Sequence, residues 1–270
     1  GEVQYHVGGN ITFARNELTD YGGTSVLKSG YTSTQQGYSL NSIFGLRYGG
    51  KIQNEEMLKA YLAKYYPNNG IGMPSNLRVG DNMYCDENGD GVLDYRDYIY
   101  LGSDTPEISY SFNAGASWKG IDFNIVFQGS ANRFVYRGID AWTVPFRSLY
   151  TNSTTSSIGN TWSETNPNAY YNPYTTDANI VSYNYQANSL TAQDGRYIRL
   201  KNITVGYNLP ASVLKKLGFV NAARIYFTGE DLWESTKITD GWDPEAKRNA
   251  SDVSRYPFTR NFTFGLNLTF

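Results

Sequence analysis

The sequence has almost no residues suited to metal or covalent chemistry, with one cysteine, Cys85, and one histidine, His6, among 270 residues. A single cysteine excludes an internal disulfide, and a single histidine excludes a histidine-based metal cage or a triad built with any spare histidine. Basic runs are missing too. Lys and Arg total 23 against 25 Asp and Glu, a formal charge of -2, so no cluster of cations is offered to a nucleic-acid backbone. No stretch approaches the roughly 18 consecutive apolar residues that carry a helix across a bilayer. That absence leaves strands untouched, because a membrane-spanning strand needs only about 9–11 residues of alternating polarity and averages to a hydrophilic score. The mean hydropathy is -0.50. No positively charged, apolar leader stands at Gly1, so an exported chain is expected to be processed or a fragment, with a fragment favoured.

Aromatic residues are plentiful, at 16% of the chain with 24 Tyr and 5 Trp against 3 Met. Rings with polar tips suit a membrane–water boundary, a sugar-binding surface or the solvated face of a sheet. The last ten residues, NFTFGLNLTF, alternate strictly. Phe262, Phe264, Leu266, Leu268 and Phe270 share one face, and Asn261, Thr263, Gly265, Asn267 and Thr269 share the other. A terminal Phe closing such a strand resembles the assembly signal of outer-membrane barrels. The same period-two pattern recurs from Val3 to Phe13 and from Tyr110 to Trp118. It returns from Ile121 to Phe127 after a tight Lys119-Gly120 turn, then from Ile203 to Leu209 and from Ala223 to Glu230. With Ile43 to Ile52 the expectation is an all-β chain of about seven antiparallel strands. Short connections, at Lys119-Gly120 and Pro210 to Asn221, alternate with long ones, at Gln53 to Thr105, Arg133 to Arg196 and Trp233 to Arg260. Outer-membrane barrels show that asymmetry, with short turns in the periplasm and long loops outside. Glu17 to Ser42 is the exception, a long link that strand parity places on the short-turn side. Ser212 to Phe219 reads as one or two helical turns stopped at Gly218.

One segment has the spacing of a calcium loop. Asp86, Asn88, Asp90, Asp94 and Asp97 stand at positions one, three, five, nine and twelve, with Gly91 at the sharp turn and the Val92 carbonyl available. The expectation is a structural Ca2+ that stiffens an exposed loop, bound less tightly than usual because Asp97 replaces the customary Glu. The competing reading is a turn in which the same side chains cap backbone amides without an ion. The acid pairs Glu230-Asp231 and Asp243 with Glu245 do not suggest a glycosidase, because adjacent strand residues point to opposite faces and no nucleophile motif accompanies them. The aromatics Trp142, Tyr150, Trp162, Tyr170, Tyr171, Tyr174, Trp233 and Trp242 fall in the stretches after Phe134 and Leu232. As a set they are expected on long loops that form a rim for substrate or a partner, although packing is the more ordinary role of each.

Taken together, five strings in order resemble the carboxy-terminal barrel portion of SusC-like (SusC/RagA family) TonB-dependent outer-membrane transporters of Bacteroidetes. They are VGGNITFARNELTD; SIFGLRYGGKIQNEEMLKAY; DENGDGVLDYRDYIYLGSDTPEISYSFNAGASWKGIDFNIVFQGS; RYIRLKNITVGYNLPASVLKKLGF; and ARIYFTGEDLW. The resemblance implies that residues 1–270 are part of a transmembrane barrel of roughly 22 strands. It also implies that the plug domain is absent and that residues 86–97 lie within an extracellular loop. A non-enzymatic importer of glycans or peptides follows. Its partners would be a SusD-like surface lipoprotein, the TonB complex acting through the missing amino-terminal part, the remainder of its own barrel, and outer-membrane lipid. The alternative is a secreted, calcium-stiffened β-sandwich that binds carbohydrate.

Overall fold

The computed structural model describes residues 2–20, 22, 34–136, 153, 155–238, 242–246 and 258–270. In chain order its elements begin with β1 (Gln4–Phe13), β2 (Ser42–Gly45), β3 (Tyr48–Lys51), α1 (Glu55–Tyr65), β4 (Asn82–Tyr84) and β5 (Ile99–Ser103). They continue with β6 (Ile108–Trp118), β7 (Ile121–Ala131), β8 (Phe134–Tyr136), α2 (Ala178–Asn184) and β9 (Ala192–Asp194). The last are β10 (Tyr197–Asn208), α3 (Ala211–Leu217), β11 (Ala222–Thr236) and β12 (Asn261–Thr269).

Six long strands form one antiparallel sheet in the order β1-β6-β7-β10-β11-β12. Its two faces follow from the sequence period. Tyr5, Ala116, Phe123, Val205, Phe227 and Phe264 lie side by side in one cross-strand row. The neighbouring row, His6, Gly115, Asn124, Thr204, Thr228 and Thr263, points the other way and is polar or small throughout. A sandwich would cover the apolar face with a second sheet. Here it is bare, with Phe264 81% and Tyr5 80% exposed, and the other sheets among the described residues are two-stranded pairs. The sheet is therefore a wall segment of a larger barrel, apolar outside and polar inside, and the sandwich reading does not fit it.

The wall holds six strands and not about seven, because Ile43 to Ile52 is not part of it. Ser42, Ile43, Phe44 and Gly45 are all buried, so this run has no wet face for alternation to separate. β2 pairs with β5 and β3 with β4 in an excursion between β1 and β6. The whole link from residue 14 to 107 thus leaves and rejoins the wall at one end, and the parity exception at Glu17 to Ser42 disappears. All three long connections share that end. The opposite end carries the Lys119-Gly120 turn and α3, which stops where Gly218 takes a positive φ of 73°.

The excursions after β1 and after β7 fold together into a loop unit with an interior like that of a soluble protein. Asn54 caps α1 by accepting from the Met57 amide, and Leu58, Tyr61 and Tyr65 recur on its buried face. They pack with Leu46, Ile52, Met73, Leu77, Tyr84 and Leu93 from the first excursion and with Tyr183 of α2 from the second. The Tyr61 and Tyr183 hydroxyls meet at 2.9 Å, and the Tyr84 hydroxyl donates to the Tyr183 carbonyl at 2.8 Å. Asn82 and Asn184 join the excursions again, their side chains and backbones exchanging bonds of 2.8 Å. Buried amides that find partners in this way fix how the two excursions meet.

Candidate functional site

The inner face of the wall is a field of short amides and hydroxyls. Thr204 and Thr228 lie 3.2 Å apart through their hydroxyls on neighbouring strands. The His6 ring crosses Gly115 to reach Asn124 Oδ1 at 3.4 Å, a path that any side chain at residue 115 would block. At the short-turn end Arg224 Nη2 sits 2.6 Å from Asp122 Oδ2.

Toward the long-connection end, a bulge opposes Lys201 of β10 to Asp231 and Leu232 of β11, with Asp231 at a φ of 55°. Beside it Arg199 is fully buried and meets three carboxylates: Glu234 Oε2 at 2.5 Å, Asp243 Oδ1 at 2.6 Å and Glu245 Oε2 at 2.9 Å. The Phe258 ring lies over its guanidinium at 4.1 Å. Lys201 Nζ stands 3.0 Å from both Asp231 and Glu245, and the Tyr197 hydroxyl donates to Glu245 at 3.1 Å. From the other side Arg133 binds Asp104 at 2.9 Å and donates to the carbonyls of Pro244 and Ala246. The turn at 243–246 is therefore held by carboxylates on Arg199 and Lys201 and by carbonyls on Arg133. All three long connections meet at this node. Asp243 and Glu245 are ion-paired, and Glu230 accepts from Asn261 Nδ2 at 3.2 Å.

The node escaped the sequence reading because its members are distant in the chain, Arg199 lying 35 residues from Glu234 and 44 from Asp243. The available signal was Arg199 and Lys201 themselves, two cations in a strand whose inner face is otherwise neutral.

The acid-rich loop is closed by hydrogen bonds. Asp86 accepts from the Gly89 and Gly91 amides, Asn88 from Asp90, and Asp90 from Val92. Asp94 caps a 3-10 turn over Tyr95–Asp97, and buried Asp97 accepts from the amides of Glu87 and Asp94. Arg96 Nη2 lies 3.0 Å from Asp90 and 2.7 Å from Asp94, where it supplies the positive charge between them. Among the described residues no group of three or more His, Cys, Asp or Glu side chains is gathered as a metal cage. As arranged, the loop's side chains serve backbone amides first.

The rim aromatics separate. Trp142 and Tyr150 lie outside the described residues. Tyr171 is buried with Val181 and Tyr185, and Tyr170 packs edge-on against it at 4.9 Å. Trp162 lies against Gly80 and Pro173, its amide bonded to the Tyr171 carbonyl. Tyr174 is exposed, and Trp242 is half-buried beside the node's turn. Trp233 is not on a loop. β11 continues to Thr236, and Trp233 stands on the apolar outer face opposite Leu200, edge-on to Phe127 at 6.4 Å. Phe262, Phe264, Leu266 and Leu268 also line the outer face. Phe270 stacks on Phe219 beyond α3, with ring centroids 6.1 Å apart and planes 4° from parallel.

No protein-family model matches the chain. It is 30% identical over 249 residues to TonB-dependent receptor P3 of Formosa agariphila, a match that covers 87% of this chain and 23% of that receptor. It is 25% identical over 281 residues to TonB-dependent receptor SusC of Bacteroides thetaiotaomicron, covering 97% of this chain and 24% of that one. Its fold matches a solved structure of the RagAB peptide transporter with a TM-score of 0.71 at 21% identity, over 99% of this chain and 27% of that one. The chain spans about a quarter of the length of the curated relatives it matches.

Proposed function

We propose that this chain, a barrel segment of a SusC-like TonB-dependent receptor, forms part of the wall and outer rim of an importer that moves glycans or peptides across the outer membrane. The observation that carries this reading is the two-faced wall. In six adjacent strands the row Tyr5, Ala116, Phe123, Val205, Phe227 and Phe264 faces outward and the row His6, Gly115, Asn124, Thr204, Thr228 and Thr263 faces inward, and all long connections share one end. A bare apolar face of this extent belongs in lipid, and a polar inner face lines a wet or plugged lumen.

On this reading the long connections lie outside the cell and the short turns lie in the periplasm. The loop unit and the node form a rim against which a SusD-like lipoprotein closes. Energy arrives from the TonB complex through parts of the receptor beyond this chain. Substrate selection belongs to the rim aromatics Trp142, Tyr150, Trp162, Tyr170 and Trp242 only where their rings face the lumen or the partner. Tyr171 serves packing, and Trp233 serves the lipid boundary. Uptake of labelled oligosaccharides and oligopeptides by cells carrying the full-length receptor and its lipoprotein, with and without TonB, tests the proposal. Uptake that is unchanged without TonB would sink it.

Calcium is a separate proposal for the acid-rich loop. An ion held by Asp86, Asn88, Asp90, Val92, Asp94 and Asp97 would take over the charge that Arg96 now supplies. Calorimetric titration of calcium into the full-length receptor should then show tighter binding in Arg96→Gln than in the native protein, and none in Asp90→Ala. No heat in any of the three would leave the loop as a hydrogen-bonded cap.

A further inference from the structure

A groove of about 660 Å³ crosses the outer face of the wall near its short-turn end. Its sides are Ile121, Val205, Tyr207, Ile225, Phe227 and Phe264, drawn from four adjacent strands. Val205 is the smallest of these side chains and stands beside Phe227 in its row, with Phe123 on the strand at its other side. The groove's charged edge is Lys119, at the tip of the tight turn, with its ammonium 4.6 Å from the Trp118 ring. Among the described residues no salt bridge joins Lys119 to an acid. Lys215 and Lys216, in the last turn of α3, add positive charge to the same end of the wall.

We infer that this groove holds one acyl chain of a phospholipid, with the phosphate resting on Lys119. An apolar trough that ends at a cation matches an amphiphile with an anionic head, and the trough lies on the face that the wall turns to lipid. Tyr207 and Trp118 sit where barrel girdles meet headgroups. The inference rests on the outer-membrane reading above, which places this end in the periplasmic leaflet, where the lipids are phospholipids. A chain lying in this shallow depression touches side chains from four strands, so this lipid should outlast its neighbours during delipidation.

Native mass spectrometry of the full-length receptor, incubated in detergent with phosphatidylglycerol, phosphatidylethanolamine or lipopolysaccharide, tests it. The native receptor should retain one phospholipid of either kind, since both carry the phosphate. Val205→Trp, which fills the trough with an apolar ring, and Lys119→Gln should each lower the retained fraction, the first by about tenfold. Lys119→Arg should keep it. Equal retention in native protein and both loss variants, or a preference for lipopolysaccharide, would overturn the inference. Insertion of the same variants into liposomes and heat-modifiable migration separate the two levels. If the native protein fails to insert, the barrel reading fails; if it inserts and lipid retention ignores both substitutions, the groove alone is wrong.

Discussion

The wall and the loop unit obey opposite hydrophobic rules within one chain. In the wall the large apolar side chains are the exposed ones, Phe262, Phe264 and Tyr5 among them, whereas in the loop unit Ile43, Phe44, Leu46 and Ile52 have no exposed surface at all. The same residue types are sorted by their solvent. Where the neighbour is lipid, apolar groups face out and satisfied backbone ladders close the sheet; where it is water, they collapse into a core. Between the two sits the Arg199 node, where a guanidinium is buried among three carboxylates, and it ties the connections of the second regime to strands of the first.

The hardest blow to this division falls on the node. Arg199→Gln strands Glu234, Asp243 and Glu245 around a missing cation and should cost about 3–5 kcal/mol, because an unpartnered charge cluster is far worse than no pair. The temperature at which the full-length receptor loses its folded band should fall, and the turn at 243–246 should become cleavable by protease. Arg96→Gln, which breaks only partly exposed pairs in the acid-rich loop, should cost about 0–1 kcal/mol by the same assay.

Leu46→Ala strikes the loop unit alone. Emptying this fully buried site should cost about 2–5 kcal/mol, and hydrogen exchange should accelerate in α1 and α2 while β6 and β7 keep their protection. Equal acceleration in both would mean that the two regions form one cooperative unit. Phe264→Lys makes the reciprocal cut. A lysine on the lipid face should cost up to about 2–4 kcal/mol, the more the deeper it lies in the bilayer, whereas Thr263→Lys, one residue away on the inner face, should cost far less.

A separate effect concerns pH. Lys51 is buried in the loop unit with its ammonium 3.3 Å from Asn82 Oδ1, and burial pushes its pKa down to about 8, only partly offset by Asp81. The folded chain therefore gives up this proton near pH 8, while the unfolded chain keeps it to about 10.4. Between those values the unfolded state binds more protons, so stability rises with pH across that window. Chemical unfolding of the full-length receptor between pH 8 and pH 10 should show the rise. Lys51→Met should abolish the slope and stabilise the loop unit at neutral pH, by roughly 3 kcal/mol at most.

The wall was legible because its signal is local. In β12 the alternation of Phe262, Phe264, Leu266 and Leu268 with Asn261, Thr263 and Asn267 states both the strand and its two environments, and the observed strand covers that run. Legibility failed where the partner is remote or the period breaks. Ile43 to Ile52 resembles a wall strand in composition, but its buried residues are covered by distant parts of both excursions, from the Leu58 and Tyr61 side chains to the Ala187 carbonyl that accepts from the Leu46 amide. Trp233 was read as a loop residue because the bulge at Asp231 interrupts the alternation, although the strand resumes beyond it. The Arg199 node was invisible for the first reason, and no spacing rule announces a cluster assembled from three connections. The calcium-loop spacing was plain, but spacing alone does not choose between an ion and the amides that the same oxygens accept from in this structure.

The most direct test of the two-faced wall is a labelling scan of β12 in the full-length receptor reconstituted in liposomes. Single cysteines from Asn261 to Thr269 would carry a fluorophore challenged in turn by a lipid-borne and a water-borne quencher. Lipid quenching should peak at 262, 264, 266 and 268 and fall at 261, 263, 267 and 269, with water quenching inverted. A smooth profile without that two-residue beat, or water quenching at Phe264 as strong as at Thr263, would contradict a lipid-facing barrel wall.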